Sequence, residues 1–115
     1  MRRLSLITLV LLAGCSHGHS RHARLAAART LIADHCGACH RVPGVPGTTG
    51  RVGPSLEGIG RQMIIAGHFV NTPDTLARWI YEPQQMLPGD VMPDTGVTYE
   101  QARLIAFYLY SQGQP

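Results

Sequence analysis

Apolar and polar positions along this chain group into blocks of helical length, with no β-rich run between them. The first block, LSLITLVLL (4–12), is nine residues of mostly apolar character behind the cationic start MRR. A polar stretch without apolar period follows, SHGHSRH (16–22), and then RLAAARTLIAD (24–34), which reads as helix. Residues 41–53, RVPGVPGTTGRVG, are rich in Gly and Pro and read as a loop. Thr72 can cap a next helix, with Pro73 at its first position and Pro83 as its stop, so that Leu76, Trp79 and Ile80 share one face. Thr98 and Gln101 have the spacing of a capping box. They open a last helix that is expected to end near Gly113 and to bury Ala102, Ile105, Ala106 and Leu109. The pattern predicts an all-α domain of three main helices joined by loops.

The first block is too short to cross a membrane, which takes about 20 apolar residues. Behind a positive start it reads as an export signal. It ends in LAGC (12–15), which resembles the bacterial lipobox. That resemblance implies cleavage before Cys15 and a diacylglycerol thioether on its sulfur, with the acyl chains holding the protein to a membrane. The expected division is a signal peptide over 1–14, a lipid-anchored linker over 15–22 and one folded domain over 23–115. As a flexible coil the linker would reach only about 15 Å. His17, His19 and His22 belong to it and read as solvated.

Charge adds one exclusion. The chain holds ten Arg and no Lys, against seven acidic residues. Without Arg2 and Arg3 the balance falls to about +1, and the remaining Arg are scattered. Nucleic-acid binding is not expected.

The chemistry lies in HCGACH (35–40). With Cys15 lipidated, Cys36 and Cys39 remain, and an exported thiol pair can form a disulfide, bind zinc or accept haem. Zinc needs four ligands, and His68 has no companion near it. A thioredoxin-like dithiol sits in an αβ domain, whereas the flanking sequence here is helical. Cys-x-x-Cys-His is also the attachment sequence of c-type haem. Cysteines at i and i+3 on a helical turn point to one side, where the two porphyrin vinyl groups lie. His40 then comes under the ring. A second axial ligand would come from Met63, Met86, Met92, His35 or His68.

Residues 24–112 resemble the monohaem class I cytochromes c. Pro83, Pro88-Gly89 and Met92-Pro93 fall in register with that family's ligand loop, so the resemblance implies Met92 as the second ligand and Met86 as a packing residue. In VGPSLEGIGR (52–61), Pro54 matches the residue whose carbonyl holds the proximal His, and Arg61 stands where a propionate partner or a solvated surface Arg is found. Trp79 is expected on the haem, near its Met side. Ala28 and Ile32 match the contact positions of the first helix, and Ile105 and Tyr108 those of the last. Loop 41–53 is expected to lie over the haem edge. NTPDTLARWIYEP and MPDTGVT look like the cytochrome domains attached to the second subunit of haem–copper oxidases.

The resemblance implies one haem c bound through Cys36 and Cys39, with iron ligated by His40 and Met92. It implies a carrier of single electrons rather than an enzyme. Such a protein would sit lipid-anchored in the bacterial cell envelope, on the periplasmic or outer face of a membrane. Its donor would be a quinol-oxidising complex or a dehydrogenase, and its acceptor a terminal oxidase or reductase. Lysines that ring the docking face of mitochondrial-type cytochromes are missing, which leaves Arg or an apolar haem edge for docking. Two alternatives stay open at this level: a peroxidase or gas sensor with a displaceable Met, and a haem-free thiol oxidoreductase.

Overall fold

The computed structural model describes residues 5–112, with side chains from Gly18 onward except His19. The cationic start, the side chain of Cys15 and the expected helix end at Gly113 lie outside the described residues. The elements in chain order are helix α1 (Ser5–His35), a 3₁₀ turn (Ile59–Arg61), strands β1 (Ile64–Ile65) and β2 (Phe69–Val70), and helices α2 (Pro73–Tyr81), α3 (Pro83–Met86) and α4 (Tyr99–Ser111). The fold is mainly helical, three long helices and one single-turn helix with a two-strand sheet.

Local chemistry sets the helix ends. Thr72 Oγ1 accepts from the Thr75 N–H at 3.0 Å, Pro73 occupies the first turn of α2, and Glu82 caps its end before Pro83 opens α3. Thr98 and Gln101 form the capping box of α4 in both directions, at 2.8 and 3.2 Å. Such a cap is worth roughly 1 kcal/mol.

Helices α1, α2 and α4 enclose the core, with α4 packed on both of the others. Ala28 and Ile32 of α1 are wholly buried against α4, where Ile105, Tyr108 and Leu109 are also buried. Two cations close the rim of that crossing: the Arg24 guanidinium lies 4.2 Å from the centre of the Phe107 ring, and that of Arg29 5.6 Å from Tyr108. From α2 come Leu76, Ala77, Trp79 and Ile80.

Three regions differ from the sequence expectation. The polar run 16–22 continues α1 as helix instead of forming an irregular tether. It holds no proline to stop the helix, and propagation from the Ala-rich 24–34 segment costs far less than a new nucleus. Residues 64–70 form a hairpin, pairing Ile64 with Val70 and Ile65 with Phe69. Its three-residue connection, Ala66 to His68, contains two left-handed residues, Ala66 (φ 51°) and Gly67 (φ 71°), and is closed by the His68 N–H donating to the Ile65 carbonyl at 3.1 Å. Finally, loop 41–53 is anchored in the core at three positions, while Val52 and Gly53 at its end line the cavity described below. Val42, Val45 and Thr48 are buried. Thr48 Oγ1 accepts from the Val42 N–H at 3.0 Å and donates to the Val45 carbonyl at 2.7 Å, and Tyr108 donates its hydroxyl proton to the Pro43 carbonyl at 2.9 Å. Those side chains supply the partners that a buried loop backbone lacks.

The 3₁₀ turn meets α4 almost backbone to backbone. A Cβ on Gly60 would stand 2.9 Å from the Tyr110 Cα, closer than real contacts allow, and a tight 3.1 Å from the Leu109 carbonyl oxygen. Asn71 ties the same region together, donating to the carbonyls of Ile59 and Gln62 at 2.8 Å each and accepting from the Tyr110 hydroxyl at 2.9 Å. Burial raises the Tyr110 phenol above its ordinary pKa, which keeps it a donor there.

Candidate functional site

Between the end of α1, the hairpin, α2, α4 and the loop after α3 lies a cavity of about 520 Å³. Leu76, Trp79 and Ile80 of α2 and Ile105 and Leu109 of α4 form its apolar base. Trp79 is 8% exposed and packs on Phe69 of the hairpin, ring centres 5.8 Å apart.

Cys36, Cys39 and His40 line one wall. The chain there continues α1 as a turn, with the His40 N–H donating to the Cys36 carbonyl at 2.8 Å. Residues 50–53 are strapped onto it: Gly50 N–H donates to the Gly37 carbonyl at 3.1 Å and Gly53 N–H to the Cys39 carbonyl at 2.8 Å. The imidazole of His40 lies on Gly53, where a Cβ would come within 2.3 Å of its Cε1. Its Nδ1 is 2.7 Å from the Pro54 carbonyl. A carbonyl can only accept, so Nδ1 carries a proton, and in the neutral ring Nε2 is then the nitrogen with a lone pair. Burial, and then the charge of Cys39, push the Cys36 thiol up to about 11.

Asp90, Val91, Met92 and Pro93 line another wall. Met92 is partly buried against the core. The other ligand candidates stand elsewhere: Met63 is 84% exposed, and Met86 packs on the core outside the cavity. His35 binds the Thr95 carbonyl through Nδ1 at 3.1 Å, and His68 is exposed beside Phe69. Among the described residues, His40 and Met92 are the only His and Met side chains that line the cavity.

Of the residues singled out from sequence, Cys36, Cys39, His40, Pro54, Trp79 and Met92 line one cavity, and Arg61 does not. The Arg61 guanidinium lies against Gly58, and its neighbour Gln62 faces the cavity instead. Among the described residues no three His, Cys, Asp or Glu side chains gather as a metal-holding group.

Residues 25–113 match the model of the Cytochrome c family. The chain belongs to the cytochrome c family. It is also 40% identical over 58 residues to the cytochrome c oxidase subunit 2 of Alkalihalophilus pseudofirmus, a match that covers 50% of this chain and 16% of that relative. The chain thus spans only a small part of the curated relative it resembles. No solved structure matches it.

Membership implies covalently bound haem c and haem-based electron transfer, and it sets the zinc and dithiol alternatives aside. The cavity fits that group on donor chemistry. It offers two thiols spaced for the vinyl groups, an imidazole with Nε2 free, a thioether, and otherwise mostly apolar walls. Sequence reasoning missed Gly53, whose lack of a side chain seats the imidazole. It also missed Gln84 and Asp90, which hold the loop of Met92. Gly53 stands beside Pro54 in the segment already read for its carbonyl, so that signal was available. A glutamine in a polar stretch gives none.

Proposed function

We propose that this cytochrome c is a membrane-anchored carrier of single electrons whose haem iron is ligated by His40 and Met92. The observation that carries the reading is that these two, and no other described His or Met, line the cavity. The bound haem supplies the redox couple, Fe(II)/Fe(III). The Pro54 carbonyl holds the Nδ1 proton of His40, fixing the ring and strengthening its donor nitrogen. A thioether from Met92 favours the reduced state and raises the potential. With His40 and Met92 both holding the iron, no coordination site would be left for a substrate, which would separate a carrier from an enzyme. Apolar walls from α2 and α4 keep water and bulk dielectric away.

Division into a signal peptide (1–14), a linker (15–22) and a domain (23–115) goes with this reading, as does lipid anchoring through Cys15. No described helix is long and apolar enough to cross a membrane. The protein would then work in the bacterial cell envelope, on the periplasmic or outer face of a membrane. It would take electrons from a quinol-oxidising complex or dehydrogenase and deliver them to a terminal oxidase or reductase. Likeness to an oxidase subunit supports a respiratory setting.

The test is the optical spectrum of the haem-loaded protein in both redox states. Low-spin spectra with a weak far-red Met–Fe(III) band that disappears in Met92→Ala are expected. High-spin iron, or a band indifferent to that substitution, would replace the carrier by a gas-binding protein or peroxidase.

A further inference from the structure

Loop 87–97 has few main-chain supports. Among the described residues, no hydrogen bond between main-chain groups reaches residues 91–97. Val91, one residue from Met92, is 79% exposed, while Leu87, Met92 and Val97 pack on the core. Side chains take over. The Gln84 amide on α3 donates one proton to the Met92 carbonyl at 2.7 Å and the other to the Asp90 carbonyl at 2.8 Å. Its oxygen accepts from the Gly89 N–H at 3.2 Å. The Asp90 carboxylate accepts from the Met92 N–H at 2.9 Å. Both main-chain groups of Met92 are therefore held by side chains, and both amide protons of Gln84 are used. Asp94 returns the tie, accepting from the Gln84 main-chain N–H at 3.3 Å.

We propose that Gln84 and Asp90 are positioning residues that clamp the Met92 loop on the cavity and thereby set how readily an outside ligand displaces the thioether. The inference rests on the reading of Met92 as an axial ligand. The clamp has no role in electron transfer itself. It makes the open-loop state rare, and an external ligand reaches iron only through that state. A glutamine suits the task because one planar group both donates twice and accepts.

The experiment titrates the ferric, haem-loaded protein with imidazole and follows the shift of the Soret band, with loss of the far-red band as a second readout where that band is present. Gln84→Glu keeps the shape and the acceptor but removes both donors. It is expected to tighten apparent imidazole binding on the order of ten- to a hundredfold, the effect of two hydrogen bonds. Asp90→Ala, which leaves α3 intact, is expected to act in the same direction by about fivefold. Gln85→Glu, a change at the exposed neighbour, is expected to bind as the unaltered protein does. Helical circular dichroism and the reduced spectrum should be unchanged throughout. Should Gln84→Glu fail to fold, Asp90→Ala alone decides. Imidazole binding within twofold of the unaltered protein in the folded clamp variants overturns the clamp. Met92→Ala separates the two ideas. If it opens the iron to imidazole while the clamp variants do not, only the clamp fails. If it changes nothing, the ligand assignment itself has failed.

Discussion

The wall that carries His40 and the wall that carries Met92 line one cavity and are held by different means. Around His40 the chain is fixed by main-chain bonds: the turn off α1, the straps from Gly50 and Gly53, and the Pro54 carbonyl on the imidazole. Around Met92 the bonds come from side chains, Gln84 and Asp90, on a loop with an exposed Val91. Main-chain bonds survive most substitutions, because every residue but proline supplies the same groups. The exceptions are Gly50 and Gly53, where a Cβ would stand 2.4 Å from the Ala38 carbonyl oxygen and 2.3 Å from the His40 ring. Side-chain bonds vanish with one substitution. The proximal side is thus built for permanence, and the Met side is where substitutions can tune ligand exchange.

Four substitutions press on that contrast, beginning with the largest expected effect. Gly53→Ala places a methyl inside the contact radius of the His40 ring, so the ring or its strap must move. A cost of about 3 kcal/mol is expected, with low yield of haem-loaded protein, read by denaturant unfolding. Met92→Ala removes the other ligand yet leaves the helices in place. It should lose about 2 kcal/mol along with the far-red band, and circular dichroism should show helix content preserved. Thr48→Val tests the buried loop that leads to the proximal strap. With no hydroxyl, the Val42 N–H and Val45 carbonyl lose their partner, at about 2 kcal/mol in an unfolding titration. Tyr108→Phe orphans only the Pro43 carbonyl and should cost about 1 kcal/mol by the same measurement, with the spectrum unaltered. Equal spectral damage from Gly53→Ala and Thr48→Val would mean that the proximal wall and its supporting loop act as one unit.

How far the sequence revealed this depends on the kind of signal. Helices α2 and α4 were legible at their starts because their caps are chemical: Thr72 with Pro73, Thr98 with Gln101. The site residues were legible where a motif names them, as at Cys36, Cys39 and His40. Pro54 and Met92 came from resemblance, since nothing in a Gly/Pro-rich loop says which way a residue turns. The hairpin was hidden because two-residue strands are too short for an alternating pattern, and its three-residue connection Ala66-Gly67-His68 carries no Asn-Gly signal. The anchoring of loop 41–53 in the core was hidden for another reason. Its cue, the β-branched residues Val42, Val45 and Thr48 three apart, stands among glycines and prolines that read as a surface loop. Gln84 was invisible, because its partners are main-chain groups five to eight residues away.

Gly60 carries a consequence for how this cavity can vary. Ile59 and Gln62 on either side of it line the cavity, and Gly60 itself rests on the backbone of α4. The gap between those residues and α4 is therefore gauged by main chain against main chain, with no side chain to act as a shim. Exchanges among the apolar lining can alter polarity and the fit of individual atoms, but the aperture stays at a fixed calibre as long as position 60 remains glycine.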